Sequence, residues 1–262
     1  MTTITVSRDL DRLLRALRLG QMAPILPERA VLAKQRNQSH LGFLEMVLAD
    51  ELARRDTKSA DERARKAGLD RSMRLEAWEE LGDITYDRAL WSDLVGLDLT
   101  GTASNIIILG PVGVGKTHLA TALGHIAVRR RIPTCFYRAD KLFNLLKAAR
   151  LDNTVEAELR RLSTIKLLIV DDLALRAMDP IATNDFYELV VGRHQKHSTI
   201  WTSNRDPAEW VGLMADTLLA QAAIDRATQA AHVLIVDGPS YRQRGRTIRT
   251  QTIDKNKEDH HG

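Results

Sequence analysis

The sequence has a single cysteine and no long apolar run. Cys135 is the only cysteine among 262 residues, so no disulfide can form within the chain, and its apolar surroundings predict a buried, inert thiol. No apolar stretch approaches the roughly 20 residues that a membrane-spanning helix needs. The polar start at Thr2 and Thr3 lacks the apolar core of a signal peptide. These absences argue against a secreted or membrane protein and favour a reducing, cytoplasmic location.

Aromatic residues and net charge are also low. Aromatics make up 5% of the chain, and the formal net charge is only +4. A content of 44% hydrophobic and 27% charged residues is nevertheless typical of a folded globular protein, which excludes a disordered chain. The slight excess of positive charge is compatible with an acidic partner such as nucleic acid, but it does not identify one.

The first third of the chain is poor in glycine and has no strand pattern. Leucines recur at helix spacing in residues 10–17 and again in residues 41–52. We expect a small all-α N-terminal domain over residues 1–82 that serves partner docking or oligomerisation. Ordinary packing within this domain is the alternative explanation of the leucines.

The remainder of the chain alternates short apolar runs with helical patterns. This alternation predicts an α/β domain over residues 83–250, with a parallel five-stranded sheet sandwiched by helices, followed by a disordered tail at residues 251–262. The connector at residues 82–101 contains Trp91 and Leu94 and is expected to pack against this domain. The strands are predicted at Asn105–Leu109, Thr134–Tyr137, Lys166–Val170, Ser198–Thr202 and His232–Val236.

A complete phosphate-binding loop follows the first predicted strand. Its glycines open a helix, so several backbone N–H groups and the positive end of the helix dipole point at one place. Lys116 is expected to reach the β- and γ-phosphates of ATP, and the hydroxyl of Thr117 is expected to bind Mg²⁺. A glycine-rich turn that matches by chance is the alternative. The predicted nucleotide-binding residues are Gly110, Pro111, Val112, Gly113, Val114, Gly115, Lys116, Thr117 and His118.

Two acidic residues follow the predicted strand Lys166–Val170. Phosphoryl transfer to water needs a carboxylate for the metal and a base for the water, so we assign Asp171 to Mg²⁺ and Asp172 to the water. On its own, an apolar strand that ends in two acids is often only a strand leaving the core. Together with the loop, the pair predicts an ATPase site.

Asn204 follows the next predicted strand. If the strand order is that of the P-loop ATPases, its amide lies beside the γ-phosphate and could position the attacking water. The alternative is a local turn before Asp206 and Pro207, a common use of asparagine.

These motifs occur in an order that resembles one known family. The loop, the segments Leu168–Leu173, Ser198–Pro207 and Ala223–Arg226, and the segment Gly238–Arg242 are together similar to IstB-like helper ATPases of insertion-sequence transposition. That family is a branch of the AAA+ ATPases close to replication initiators and helicase loaders. The resemblance covers essentially the whole chain, including the leucine-rich helical start.

The resemblance implies roles for three residues. Asn204 matches the sensor-1 position, Arg226 matches an arginine finger that reaches the nucleotide of the neighbouring subunit, and Arg242 matches the sensor-2 arginine. An arginine supplied in trans stabilises charge on the transferred phosphoryl group and accelerates hydrolysis by about 10³–10⁵ in well-studied NTPases. Without the resemblance, Arg226 could form a helix-surface ion pair with Asp225 or a nearby acid, and Arg242 could be a solvated arginine.

The segment between the second strand and Asp171 resembles the extra helices of the initiator and loader branch, which contact DNA backbone. On residues 139–165 we assign phosphate contacts to Lys147 and Arg150, although a solvated helix face is the alternative. No aromatic residues alternate with these cations. Binding to double-stranded DNA should therefore depend on the backbone and show no strong sequence preference.

The sequence thus predicts an AAA+ ATPase that uses ATP and Mg²⁺ and oligomerises on DNA with ATP between subunits. Such a protein would deliver target DNA to a partner transposase, or stimulate it. Two alternatives stay open: a helicase-loader-type ATPase, and a DNA scaffold that binds ATP without hydrolysing it.

Overall fold

A computed structural model describes residues 5–78, 84–96 and 103–241. Its centre is a five-stranded sheet in the order β2-β3-β4-β1-β5, and every neighbouring pair is parallel. This confirms the predicted fold class, and each observed strand begins or ends within one residue of its prediction. The strands are β1 (Ile106–Leu109), β2 (Thr134–Arg138), β3 (Leu167–Asp171), β4 (Ser198–Ser203) and β5 (His232–Ile235).

The strands differ in burial according to their position in the sheet. The inner strands β1, β3 and β4 are buried along their whole length, as their continuous apolar runs predict. The edge strands β2 and β5 are partly exposed. Cys135 lies on the edge strand β2 and is half-buried, so the prediction of a buried thiol was wrong.

Helices cover both faces of the sheet. One apolar cluster joins Ile106, Ile108 and Ile169 to the helix that follows β1, and the other joins Ile107 and Val170 to the helices of the opposite face. Successive strand residues point to opposite faces, so the same strands supply both layers. The helices that follow residue 84 are α4 (Arg88–Gly96), α5 (Lys116–Arg129), α6 (Ala139–Leu151), α7 (Val155–Thr164), α8 (Pro180–Arg193), α9 (Pro207–Trp210) and α10 (Thr217–Thr228).

The described part of the N-terminal region is helical, as predicted. Helices α1 (Arg8–Ala16) and α2 (Leu26–Gln35) pack with the long helix α3 (His40–Lys66), and short 3₁₀ turns occur at Gly20–Met22 and Leu75–Ala77. The first three helices share a small core. Within the described residues, no helix is both long and apolar enough to cross a membrane. Seven leucines on α1, at its C-terminal end and on α3 remain exposed: Leu10, Leu13, Leu17, Leu41, Leu44, Leu48 and Leu52.

Core contacts join the N-terminal region to the sheet domain. Ala64 and Leu69 belong to the apolar cluster that contains Ile106 and Ile169. The amide of Phe136 on β2 donates a hydrogen bond to the carbonyl of Ala67 at 2.7 Å. Helix α4, which falls within the predicted connector, buries Trp91 and Leu94 in the same cluster, so it packs against the sheet domain as expected.

Several predicted features lie outside the described residues. The expected boundary at Gly82 and the expected disordered tail at residues 251–262 both do, and so does Arg242. The division into domains and the role of Arg242 therefore stay predictions.

Candidate nucleotide-binding site

The glycine-rich loop connects the end of β1 to the start of α5. Gly110, Gly113 and Gly115 all have positive φ angles, which favour glycine. At Gly110 a Cβ atom would stand 1.9 Å from the carbonyl oxygen of Val236, so the path of the loop requires glycine there. The loop therefore begins where a central strand ends and leads directly into the N-terminus of a 14-residue helix. This arrangement favours the binding of an anion at the loop.

Lys116 is buried against the loop. Its Nζ donates hydrogen bonds to the carbonyl oxygens of Gly110 and Pro111, each at 2.7 Å, and the residue is 6% exposed. The ammonium group is thus held within the loop, from where it could reach a phosphate bound by the loop's N–H groups. The contact with the β- and γ-phosphates stays a prediction.

Asp171 ends β3 and lies beside the loop. Its Oδ2 accepts a hydrogen bond from Oγ1 of Thr117 at 3.1 Å, and its Oδ1 accepts one from Oγ1 of Thr202 at 2.6 Å. Burial raises the pKa of Asp171, and the neighbouring charge of Asp172 adds to the rise, whereas the two hydroxyl hydrogen bonds oppose it. A bound cation would reverse this penalty, because it favours the ionised carboxylate.

The donor set at this position fits Mg²⁺. Thr117 and Asp171 offer the oxygen ligands that a hard cation prefers, and Mg²⁺ commonly takes its other ligands from phosphates and water. Among the described residues no cluster of three or more histidine, cysteine or acidic side chains could hold a metal ion. Two protein ligands, Thr117 and Asp171, suit a metal that takes its other ligands from a bound nucleotide and water.

Asp172 follows β3 and no longer has the extended backbone of a strand. It adopts a left-handed backbone with a φ of 57°, and its amide donates to Oγ1 of Thr202 at 2.9 Å. Its carboxylate pairs with Arg138, with Nη2 and Oδ2 separated by 3.3 Å. Asp171 and Asp172 thus have different surroundings, one buried among hydroxyls and the other exposed toward a cavity and paired with an arginine.

A cavity of about 490 Å³ connects these groups. The order of the sheet explains why they meet, since the carboxyl ends of β1, β3 and β4 lie side by side. Asp206 caps α9 with its own side chain, so the local turn does not depend on Asn204. The predicted residues that line the cavity are Val112, Gly113, Gly115, Lys116, Thr117, His118, Asp172 and Asn204.

One wall of the cavity was not predicted. It comes from the segment before α4 and includes Met73, Ala77 and Trp78. The Trp78 ring lies so close to the loop that a Cβ on Gly115 would come within 2.4 Å of it, and its centroid is 5.1 Å from that of the His118 ring. Its Nε1 is buried without a hydrogen-bond partner.

The position of this wall depends on His118. Its Nε2 lies 2.9 Å from the carbonyl oxygen of Arg74 and so links α5 to the segment that carries Trp78. About 35 residues separate Trp78 from the loop, and no motif marks it in the sequence. Only a composition signal, an aromatic residue close to the connector, could have drawn attention to it.

Arg226 lies outside this cavity. It is half-buried on α10, and its Nη1 donates to the carbonyl oxygen of Ala222 at 2.6 Å. Within the described residues no carboxylate oxygen lies within 4.0 Å of its side-chain nitrogens, so the alternative ion pair with Asp225 or a nearby acid is not formed there. The structure does not bring Arg226 to the nucleotide site of its own chain.

The two cations assigned to DNA both form ion pairs with α8 or its cap. Nζ of Lys147 lies 3.5 Å from Oδ2 of Asp179, and Arg150 pairs with Asp185, whose side chain is only 1% exposed. Their side chains are 58% and 40% exposed, so the predicted DNA contacts and the alternative of a solvated helix face both stay predictions. Arg150 compensates a buried carboxylate, so the DNA role predicted for it would compete with a structural one.

Comparison with known proteins identifies relatives from insertion sequences. A sequence profile of the family described as IstB-like ATP binding protein matches residues 12–248. An insertion-sequence ATP-binding protein of Mycobacterium tuberculosis (strain ATCC 25618 / H37Rv) is 33% identical over 90% of this chain and 95% of its own length. The ATP-binding protein of insertion sequence IS21 from Pseudomonas aeruginosa is 32% identical over 89% of this chain and 88% of its own length.

Solved structures show which fold this is. The replication initiator DnaA bound to AMPPCP and single-stranded DNA superimposes with a TM-score of 0.53 and 19% identity, over 64% of this chain and 50% of that one. A structure of DnaI gives a TM-score of 0.50 and 20% identity, over 57% of this chain and 81% of that one. At these identities the similarity shows the fold alone, and it confirms the predicted AAA+ fold.

Proposed function

The chain belongs to the IstB-like ATP-binding protein family, and we propose that it is a Mg²⁺-dependent ATPase that assembles on double-stranded DNA and presents that DNA to a partner transposase, or stimulates the transposase. The observation that carries the ATPase proposal is the convergence of Lys116, Thr117 and Asp172 on one cavity, with Asp171 hydrogen-bonded to Thr117 beside it. These are the groups that phosphoryl transfer to water requires.

In the proposed reaction each residue of the site has a separate role. Thr117 and Asp171 would hold Mg²⁺, which neutralises phosphate charge when it is bound. Lys116 would bind the β- and γ-phosphates. Asp172 would accept a proton from the attacking water, and Asn204 would orient that water.

The cavity wall formed by the segment before α4 suits the base end of the nucleotide. Met73 and Trp78 offer apolar and aromatic surface, and aromatic rings stack on nucleobases. A nucleotide in this cavity would therefore touch both the phosphate loop and the segment that follows α3.

We assign Arg226 to the site of a neighbouring subunit. Arg226 does not line the cavity of its own chain, and among the described residues it has no carboxylate partner; both observations support a role in trans. An arginine that completes the next subunit's site would make hydrolysis depend on assembly into homo-oligomers with ATP at the interfaces. The exposed leucines of α1 and α3 are candidate surfaces for assembly or for the transposase.

The DNA part of the proposal rests on the relatives and on charge. The curated relatives come from insertion sequences, and the DnaA structure with a similar fold holds single-stranded DNA. Lys147 remains the better candidate for a phosphate contact, since it is more exposed than Arg150 and pairs with an exposed carboxylate. A protein that acts on bacterial DNA in this way would be located in the cytoplasm.

Two alternatives make different predictions. A helicase loader would share the ATPase core but have no transposase gene beside its own. A scaffold that does not hydrolyse ATP is favoured by one observation, the ion pair that engages Asp172. Steady ATP turnover, measured with and without duplex DNA, separates an enzyme from a scaffold.

The direct test of the loop is Lys116→Ala. We expect loss of ATP binding in titration calorimetry and loss of ATP-dependent oligomers in light scattering with duplex DNA, because the loop would lose its cation. Arg131→Ala is a suitable control, because it removes an exposed arginine that pairs with Asp56 and does not line the cavity. Oligomers that still form with ATP in the Lys116 variant would refute the assigned role.

The trans role of Arg226 is tested by mixing variants. Arg226→Ala and Asp172→Asn should each hydrolyse ATP at least ~100-fold more slowly than the wild type. Mixed together they should recover activity, because an Asp172→Asn subunit supplies Arg226 to a neighbour whose Asp172 is intact. Failure of the mixture to recover, despite mixed oligomers, would place Arg226 elsewhere.

A further inference from the structure

Helix α10 has one exposed face, on which Leu218 and Arg226 both lie. Leu218, Ala222 and Arg226 follow one another at intervals of four residues, so they share this face and span about 12 Å along the helix. Leu218 is 76% exposed. The side chain of the cap residue Asp216 accepts hydrogen bonds from the amides of Leu218 and Leu219, at 2.9 and 3.0 Å. Leu218 therefore projects from a fixed first turn of the helix.

A single exposed leucine is ordinary on a protein surface, and Leu218 becomes informative through its relation to Arg226. We assign Arg226 to the nucleotide cavity, of about 490 Å³, of a neighbouring subunit. In that arrangement the exposed face of α10 lies along the neighbour's surface. Leu218 then meets this surface about 12 Å from Arg226, so its contacts depend on what lies beside the neighbour's nucleotide cavity.

A second cavity, of about 280 Å³, lies beside the nucleotide cavity of each chain. The two cavities are adjacent, since they share three lining residues: Arg138, Asp172 and Leu175. The second cavity lies between α6 and the loop of residues 172–179. Its apolar lining includes the half-buried side chains of Phe143 and Met178, and the exposed side chain of Leu175. Such a lining is stabilised when an apolar side chain covers it.

Charges on the two surfaces are complementary. Asp225 is exposed on the same face of α10, two helical turns after Leu218. Arg176 is exposed on the loop that lines the second cavity. In the described part of the chain, neither side chain has an oppositely charged group within 4.0 Å. An acid and a base that are unpaired within one subunit can pair across an interface, and such a pair favours one register of the two surfaces.

We propose that Leu218 of one subunit inserts into the second cavity of the neighbouring subunit, whose nucleotide cavity receives Arg226 from the same helix. Asp225 then pairs with Arg176 of that neighbour. The occupant of the second cavity is thus a second copy of this chain. The inference rests on the proposed assembly with ATP between subunits, and it adds an apolar contact that seats α10 on the neighbour.

Cysteine cross-linking tests the contact directly. Cys135 is the only cysteine, so Cys135→Ser gives a background in which introduced cysteines report contacts, and it should assemble as the wild type does. In this background Leu218→Cys and Leu175→Cys are made as separate proteins and mixed with duplex DNA, a non-hydrolysable ATP analogue and a mild oxidant. We expect a disulfide-linked dimer on non-reducing electrophoresis in the mixture and in neither variant alone, because a disulfide needs Cα atoms within about 7 Å.

The matched control replaces Leu175→Cys by Leu151→Cys. Leu151 is an 84% exposed leucine at the other end of α6, and it does not line the second cavity. A mixture of Leu218→Cys and Leu151→Cys should give no dimer. A dimer of equal yield in this mixture would overturn the inference, since it would reflect random collision.

Assembly of the chain without introduced cysteines gives a second measurement. Leu218→Ala should raise the protein concentration needed for half-maximal ATP-dependent assembly at least ~10-fold in light scattering, because the interface loses buried apolar surface. Leu151→Ala should behave as the wild type. The ATP affinity of the unassembled chain should not change, since Leu218 does not line its own nucleotide cavity. Asp225→Arg should also weaken assembly, and adding Arg176→Asp should restore it.

Failure of the contact and failure of the proposed function give different results. Oligomers that form with ATP and DNA, yet show neither the cross-link nor any dependence on Leu218, would overturn the inference and leave the ATPase proposal intact. A cross-link without recovery of hydrolysis by the mixed Arg226→Ala and Asp172→Asn variants would support the contact and overturn the trans role of Arg226. A wild type that stays monomeric with ATP and DNA would overturn both.

Discussion

The sheet domain and the N-terminal helices bury apolar side chains to very different depths. Strands β1, β3 and β4 are buried along their whole length between two helix layers, whereas the core shared by α1–α3 centres on Leu14, Met22 and Val47. Buried apolar area is the main source of stability, so the sheet should be the more stable region. The comparison indicates a rigid platform for the chemistry and a more adaptable region beside it.

The largest effect should follow a change that the sheet domain has no room for. In Gly110→Ala the new Cβ would collide with the carbonyl oxygen of Val236, and alanine is strained at this positive φ. We expect a loss of ~3 kcal/mol or more and of ATP binding, measured by urea unfolding and calorimetry. Gly212→Ala is the control, since a Cβ added there would meet no atom within 4 Å beyond its chain neighbours, and the change should cost less than ~1 kcal/mol.

A core change in the N-terminal helices should have a smaller and more local effect. Val47 is 1% exposed, and Val47→Ala should cost about 2 kcal/mol because it leaves a void in a small core. Hydrogen exchange should accelerate in α1 and α2 while ATP affinity changes little. Leu44→Ala, at an exposed position of the same helix, should cost less than ~0.5 kcal/mol. Equal losses of protection in β1 and β3 would mean that the two regions unfold as one unit.

The smallest effect concerns acid sensitivity. Glu51 is 4% exposed, and hydrogen bonds from Arg54, joined by those from Arg55, lower its pKa to about 2. The pKa of this carboxyl group is lower in the folded state than its value of about 4.5 in the unfolded state, so the ionised group stabilises the folded state at a pH above about 4.5. This stabilisation is lost as the pH falls from about 5 toward 2. We expect the helical region to lose about 1–2 kcal/mol of stability. This is less than the full pKa shift implies, because solvent weakens the attraction of half-exposed arginines.

Circular dichroism of thermal unfolding between pH 5 and pH 2 would measure this loss. Glu51→Gln should be less stable than the wild type at pH 7, and the difference should shrink as the pH falls. If the difference in stability between the wild type and Glu51→Gln does not change over this pH range, the ion pairs do not stabilise the helices.

Much of the sheet domain could be predicted because its signals are local. Apolar runs such as Leu167–Val170 have no polar alternation, which is the pattern of a strand covered on both faces. The wrong prediction for Cys135 has the same origin, since an apolar run does not reveal whether its strand lies at the centre or at the edge of the sheet. The contacts of Lys147 and Arg150 could not be predicted either, because their partners lie on another helix.

The sequence by itself determined the phosphate loop, since residues 110–117 are contiguous and the positive φ angles of the loop fall on its three glycines. It also determined that Asp171 and Asp172 lie at the end of a buried strand. Only the tertiary structure decided what surrounds them. Strand order brings Thr202 to Asp171 and Arg138 to Asp172, and helix packing brings Trp78 to the loop. The reason is physical: local angles are encoded by neighbours in the chain, whereas contacts across a parallel sheet depend on which strands become neighbours in space.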